Sequence, residues 1–354
     1  MSNPIDLNDS SKRYFKSDNY AGIHPNLLAK ITAVNIGHES SYGADKYTKY
    51  AELCFQEVFN REFRVAFTLN GTGTNVLALK IALKPHESVI SANTAHINTN
   101  ETGAPESVVG CKILTINTEN GKITAEQIKA KYIEATAFGR HATHPKLVSI
   151  TQCTEFGTVY DLLELKQIRK VCDELNLLLH IDGCRIYNAA SFLNVDLDQI
   201  AVFADFLSLG GTKLGAIMAE SLLVFNPGFF DGLEYVHKNT LQLNSKNRFV
   251  ASQYLGLFEN NAQNKPLWLE LAEHENKLAH LIGQELSNLG FKIIQKVESN
   301  HIFVEVGEKI AKLLESSGYC YIWTQNPFVV RFVVSFDNTE SDVGDLITFI
   351  KNNI

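Results

Sequence analysis

Two apolar runs, each closing on a chemically active side chain, constrain this 354-residue chain more than any other feature. The first, Leu177-Leu178-Leu179-His180-Ile181, ends on Asp182-Gly183-Cys184-Arg185. The second, Asp205-Phe206-Leu207-Ser208-Leu209, ends on Gly210-Gly211-Thr212-Lys213-Leu214-Gly215. Unbroken apolar character marks strands covered on both faces, as in a parallel sheet flanked by helices. The intervening segment, 186–202, is long enough for the crossover that parallel neighbours require. Ligands of an open α/β sheet bind outside the carboxyl ends of its strands. Asp182 and Lys213 therefore reach one crevice.

An amine and a carboxylate in that position suit a pyridine-type cofactor, pyridoxal 5'-phosphate. The amine attaches to the cofactor, and the carboxylate keeps the ring nitrogen protonated so that the ring withdraws electrons. Taken singly, Asp182 also fits a turn cap and Lys213 a solvated loop residue. Taken together, with Gly-Gly before the lysine, they favour the cofactor.

The rest of the chain supplies matching parts. Val65-Ala66-Phe67-Thr68-Leu69 reads as a strand running into Asn70-Gly71-Thr72-Gly73-Thr74-Asn75, and Val76 to Leu83 has helical composition. Small residues at a helix N-terminus expose amides beside the positive end of the dipole, a cradle for phosphate. Ser88 to Ala92 reads as a strand leading to His96, whose imidazole suits either ring stacking and proton transfer or a plain loop hydrogen bond. Leu147 to Thr151 is another strand, followed by a helix to about Leu175. This alternation predicts a large, mostly parallel α/β domain. Helices are expected at Pro25 to Val34, Tyr47 to Phe59, Leu233 to Glu259 and Pro266 to Leu289. Short strands and helices then close the chain as a small α+β domain. The expected division is an arm, 1–45, a cofactor-binding domain, 46–245, and a C-terminal domain, 246–354, in keeping with a length beyond one core.

Composition excludes several classes of function. A net charge of −7 argues against a nucleic-acid partner, and no apolar run approaches a membrane span. Met1 to Lys16 lacks the apolar core of a secretory signal. The six cysteines are scattered without a C-x-x-C pair, which predicts no metal site and reduced thiols in a cytoplasmic enzyme.

Assembled in order, Ser17-Asp18-Asn19, Tyr42-Gly43, Asn70-Gly71-Thr72, His96, His180 to Arg185, Lys213 and Val330-Arg331-Phe332-Val333 resemble the threonine aldolase group of pyridoxal-phosphate enzymes. The resemblance implies the aspartate aminotransferase fold within the β-eliminating lyase superfamily. It implies that Lys213 carries the cofactor, Asp182 meets the ring nitrogen, His96 stacks on the ring and serves in catalysis, and Gly71 and Thr72 hold the phosphate. Ser17, Arg185 and Arg331 would bind the substrate carboxylate, with Arg185 also beside the cofactor. Lys238 and Arg248 stand where such proteins reach a neighbouring subunit's site, which implies a homodimer or homotetramer. Lys16, Ala44 and Leu214 depart from the group's usual residues. The expected reaction is cleavage of a β-hydroxy-α-amino acid to glycine and an aldehyde, the small-molecule substrate being an amino acid. The alternatives are β-elimination on another amino acid and a non-catalytic cofactor binder.

Overall fold

The computed structural model describes residues 14–354. Residues 1–13, which begin the expected arm and most of the stretch read as lacking a secretory signal, lie outside the described residues. Helices α1 (Pro25–Ala33) and α2 (Lys46–Phe59) precede strand β1 (Arg64–Thr68). In α2 the buried Ala51, Phe55 and Phe59 share one stripe, and the Asp45 carboxylate caps its start by accepting from the Thr48 N–H at 2.8 Å. Then follow α3 (Gly71–Ala82), β2 (Glu87–Ala92), the single turn α4 (His96–Thr99), β3 (Lys112–Ile116), α5 (Ala125–Thr136), β4 (His144–Thr151) and α6 (Leu162–Glu174). Strand β5 (Leu178–Gly183) leads through α7 (Ile186–Leu193) and α8 (Leu197–Ala201) to β6 (Phe206–Gly210) and β7 (Glu220–Val224).

These seven strands form one sheet in the order β1-β7-β6-β5-β4-β2-β3. The pairs from β3 to β6 are parallel, with Asp182 of β5 in register with Ser208 of β6. Strand β7 is antiparallel to both neighbours. The mostly parallel sheet was expected, whereas β7 was not, because its first residues, Glu220 and Ser221, look like a polar turn. Every residue of β5, β6 and β7 is buried. A Cβ on Gly183 would lie 2.7 Å from the Ser208 carbonyl oxygen, so close strand approach requires glycine directly after Asp182.

The expected long helix from Leu233 to Glu259 is two helices, α9 (Leu233–Asn239) and α10 (Arg248–Leu257). The chain turns between them through Leu241, which adopts a left-handed φ of 64° and is 85% exposed. No glycine or proline marks this break in the sequence. The long helix α11 (Leu267–Asn288) follows; its Leu271 and Ala272 belong to the large core, and its Leu278 and Ala279 to a second one. That second core is completed by β8 (Lys292–Ile293), β9 (His301–Glu305), α12 (Glu308–Ser316), β10 (Tyr321–Gln325), β11 (Phe328–Val333) and α13 (Glu340–Lys351), with an antiparallel sheet ordered β10-β11-β9-β8.

Phe15, fully buried, joins the second core, and its carbonyl accepts from the Val333 N–H at 2.7 Å. Burying a side chain of this size contributes about 1.5–3 kcal/mol. Ser17 and Asp18 are thereby held near the end of β11. Among the described residues no helix is long and apolar enough to cross a membrane.

Candidate functional site

A cavity of about 310 Å³ opens at the carboxyl ends of β5 and β6. Its lining brings together five of the residues singled out from sequence, Gly71, Thr72, His96, Asp182 and Lys213, and adds Asn19, Asn75, Cys184 and Glu220.

Strand β6 delivers Lys213 through a short 3-10 turn, Thr212–Leu214, closed by Gly215 at φ +89°. Leu214, 2% exposed, anchors the turn, and the Thr212 hydroxyl accepts from the Ala219 N–H at 3.2 Å. Among the described residues no carboxylate lies within ion-pair distance of the Lys213 ammonium.

Asp182 is the penultimate residue of β5 and is 4% exposed. Its Oδ1 accepts from the Cys184 N–H at 3.1 Å, so it does cap the following turn, while its Oδ2 accepts from Asn75 Nδ2 at 2.8 Å. Burial opposes its charge, yet the acid is held below the ordinary carboxylate range by neighbouring positive charge and the Asn75 hydrogen bond. His180 is itself neutral near pH 7, burial having pushed it down to about 4. The working support for the anion is therefore Lys213 and Asn75.

Asn75, in the second turn of α3, is the hub of a buried polar chain that sequence reasoning did not find. Its Oδ1 accepts from the Ser208 hydroxyl at 2.9 Å, and Ser208 and Ser149 bracket the two ring nitrogens of His180 at 2.9 Å each. Its Nδ2 also reaches Glu101 Oε1 at 3.0 Å. The same oxygen lies 2.9 Å from His96 Nδ1. Burial pushes the Glu101 carboxyl up, against the hydrogen bonds from His96 and Asn75. With Nδ1 turned to a carboxylate, Nε2 of His96 is left as the basic nitrogen. The spacing of five residues from His96 to Glu101, across the single turn of α4, was the available signal.

The Asn70 side chain caps α3 by accepting from the Gly73 N–H at 2.7 Å. The amides of Gly71 and Thr72 head the helix and have no intrahelical acceptor. A Cβ placed on Gly71 would meet nothing within 4 Å, so there is open room beside those amides. That room, a Lys213 amine outside any ion pair and the anionic Asp182 fit a pyridoxal phosphate.

Ser17, Arg185 and Arg331 are outside the cavity lining. Arg185 grips Asp18 with Nε at 2.6 Å and Nη2 at 3.0 Å. Ser17 caps the short turn Asp18–Tyr20 by accepting from the Asn19 N–H at 3.2 Å. Arg331 lies over the rings of Tyr321 and Trp323, at 5.7 and 5.3 Å. Its Nη2 reaches the Lys16 carbonyl at 3.5 Å, and its buried Nε has no partner. Burial and the charge of Arg185 both press on its charged form. His301, between these groups, is driven neutral by burial. Arg185 thus holds Asp18 while Arg331 has no ion-pair partner among the described residues, leaving one positive charge in surplus.

Lys238 and Arg248 are away from the cavity. Lys238 sits over the Tyr42 ring at 4.6 Å, and Arg248 Nη1 reaches the Ile36 carbonyl at 3.3 Å.

Comparison with known proteins gives a consistent picture. The model of the Beta-eliminating lyase family matches residues 14–309. A low-specificity L-threonine aldolase of Pseudomonas sp. (strain NCIMB 10558) is 36% identical over 349 residues, covering 98% of this chain and 99% of that protein. Its Pseudomonas aeruginosa counterpart is 36% identical over 341 residues, covering 95% and 96%. The solved structure of a Leishmania major threonine aldolase superposes with a TM-score of 0.90 at 29% identity, covering 96% of this chain and 99% of that one.

Proposed function

This chain belongs to the Beta-eliminating lyase family, and from that premise we propose that it is a pyridoxal-phosphate-dependent aldolase. It has the aspartate aminotransferase-like fold of such enzymes. Its reaction is cleavage of the Cα–Cβ bond of L-threonine, L-allo-threonine or a related β-hydroxy-α-amino acid to glycine and an aldehyde. The observation that carries this reading is the convergence, in one cavity, of a lysine outside any ion pair, an anionic Asp182, a His96 backed by the buried Glu101 and the open amides of α3.

When bound, the cofactor supplies an electron sink for the pair released from the broken bond. Lys213 would hold it covalently, Asp182 would keep its ring nitrogen protonated, and Gly71 and Thr72 would bind its phosphate. His96 would stack on the ring and, at Nε2, would take the proton of the substrate β-hydroxyl, directly or through a water. The surplus charge at Arg331 supports its assignment to the substrate carboxylate, with Ser17 and the Asp18-bound Arg185 beside it. Fixing the carboxylate fixes which bond of Cα stands perpendicular to the ring, and so which bond breaks.

The test is an assay of glycine from threonine alongside ammonia or pyruvate from serine and cysteine. Glycine as the main product supports the aldolase. Dominant ammonia or pyruvate release would replace it with β-elimination, and no turnover of any of them would leave a cofactor binder.

Arg331→Ala should raise KM for threonine at least about tenfold, because a charge-assisted pair contributes about 1.5–3 kcal/mol and each 1.4 kcal/mol is about a factor of ten. Lysine at this position should restore little, lacking the planar fork. An unchanged KM in Arg331→Ala would move the carboxylate to Arg185 and Ser17.

We also infer a homodimer or homotetramer in which Lys238 and Arg248 serve a neighbouring site. The exposed Tyr42 (52%) and Tyr235 (74%) support it, since both line a second cavity of about 1130 Å³ that includes Lys238. A fully active monomer in sedimentation at assay concentration would contradict this assembly. The six free cysteines support a reducing, cytoplasmic setting; secretion of the native protein with its thiols oxidised would refute it.

A further inference from the structure

We propose that Glu155 is a positioning residue for His96: its carboxyl, carried on the loop after β4, takes the His96 backbone N–H and so sets where the imidazole stands at the cavity. This rests on the role proposed for His96 at the substrate β-hydroxyl.

Helix α4 is a single turn, and a single turn forms too few hydrogen bonds to hold itself. Ala95, which precedes it, offers no side-chain cap. His96 heads the turn, so its N–H has no intrahelical acceptor. A carboxyl 59 residues away meets that need. Glu155 Oε1 accepts from the His96 N–H at 2.9 Å and from the Thr151 hydroxyl, at the end of β4, at 2.8 Å. One oxygen therefore ties the head of α4 to the large sheet.

The loop that carries Glu155 is pinned from its other side. Gly157 adopts a φ of +74°, and a Cβ there would lie 2.6 Å from the His301 Cβ. Its carbonyl accepts from the Ser299 hydroxyl at 3.0 Å, and its N–H donates to the Thr154 carbonyl at 2.8 Å. Phe156 packs on Phe303 and Trp323 of the small sheet, with ring centroids 5.4 and 5.8 Å away. Glu155 thus links His96 to the sheet that carries Arg331, whose guanidinium lies over the same Trp323. Ring and backbone of His96 are held separately, Nδ1 by Glu101 and the N–H by Glu155. Glu155 Oε2 is buried without a partner among the described residues. An idle buried oxygen costs stability, as expected of a carboxyl retained for the contact its other oxygen makes.

Reach and charge separate under substitution. Glu155→Gln keeps an oxygen at the same reach without the charge, Glu155→Asp keeps the charge but falls a methylene short, and Glu155→Ala removes both. In the alanine and aspartate variants kcat for threonine should fall about tenfold to a hundredfold, the scale of a reacting group displaced by about 1 Å. KM should stay within about twofold, since the carboxylate contacts are untouched, and glutamine should return kcat to within about threefold of the parent. The His96 ring gives an independent reading in cofactor-free protein labelled with ¹⁵N-histidine, its signals assigned by their loss in His96→Gln. Above the ordinary histidine titration range the parent ring should carry its proton on Nδ1, facing Glu101. The alanine and aspartate variants should show a mixture of tautomers, and the glutamine variant the parent pattern. The glutamine–aspartate comparison decides alone if Glu155→Ala does not fold. Rescue by aspartate and not by glutamine would overturn the positioning role in favour of a charge, and unmoved kcat and ring signals in all three would reduce Glu155 to packing. Failure of the underlying function would look different: the parent itself would release no glycine from threonine, while the ring signals would still report whether Glu155 holds His96.

Discussion

Lys213→Ala is expected to abolish turnover, by at least about a thousandfold, and to remove every borohydride-reducible cofactor adduct from the protein. Lys213 is the only lysine in the cavity lining among the described residues, so no substitute amine is within reach. The loss should be chemical and not structural. Its turn is held by the buried Leu214, by Gly215 in a left-handed conformation and by the Thr212 hydroxyl on the Ala219 amide, none of which the substitution touches. Removing the ammonium breaks no ion pair but withdraws charge that supports the buried Asp182, so the loss of unfolding stability should stay within the ordinary single-substitution range of about 0.5–3 kcal/mol and the protein should remain folded. Mass spectrometry of reduced protein and thermal unfolding of the same samples check the two halves. An adduct on another lysine, with activity retained, would overturn the assignment.

What the sequence disclosed, and what it concealed, follows from the range of each interaction. The ends of β5 and β6 were legible because a doubly buried strand must be continuously apolar, which makes the first active side chain after it conspicuous. The small residues after Asn70 were legible because they sit between an apolar strand and a helix-forming stretch. The Arg185–Asp18 pair was not, since its members are 167 residues apart and meet only when Phe15 is pinned to β11. Asn75 was read as part of a loop and is the hub that orients Asp182 and Glu101 together. Strand β7 was missed because a buried strand beginning Glu-Ser violates the apolar pattern. The break between α9 and α10 gave no signal, because Leu241 takes a conformation that glycine usually holds.

Asp182 provides the second large effect. With cofactor saturating, Asp182→Ala should lower kcat by about a hundredfold to a thousandfold or more, the scale of losing one preorganised electrostatic group at the reacting centre. The alanine variant also strips the acceptor from Asn75 Nδ2 and from the Cys184 amide in a buried site, at a cost of about 1–3 kcal/mol each. Asp182→Asn separates the two effects. Its amide oxygen can still take the Cys184 N–H, and its volume fills the same space, but its amide nitrogen cannot accept from Asn75 Nδ2 and it carries no charge to hold a ring proton. The asparagine variant should therefore lose less stability than alanine and still show a kcat loss approaching that of alanine. The pH course of the parent provides a cross-check. Because Asp182 is held below the ordinary carboxylate range, its contribution to stability is present above about pH 4 and fades as pH falls through its folded value. Neither variant should show that acid-limb loss. Near-normal kcat in cofactor-saturated Asp182→Asn would mean that shape and not charge is what Asp182 supplies, and the electron sink would then need no carboxylate at the end of β5.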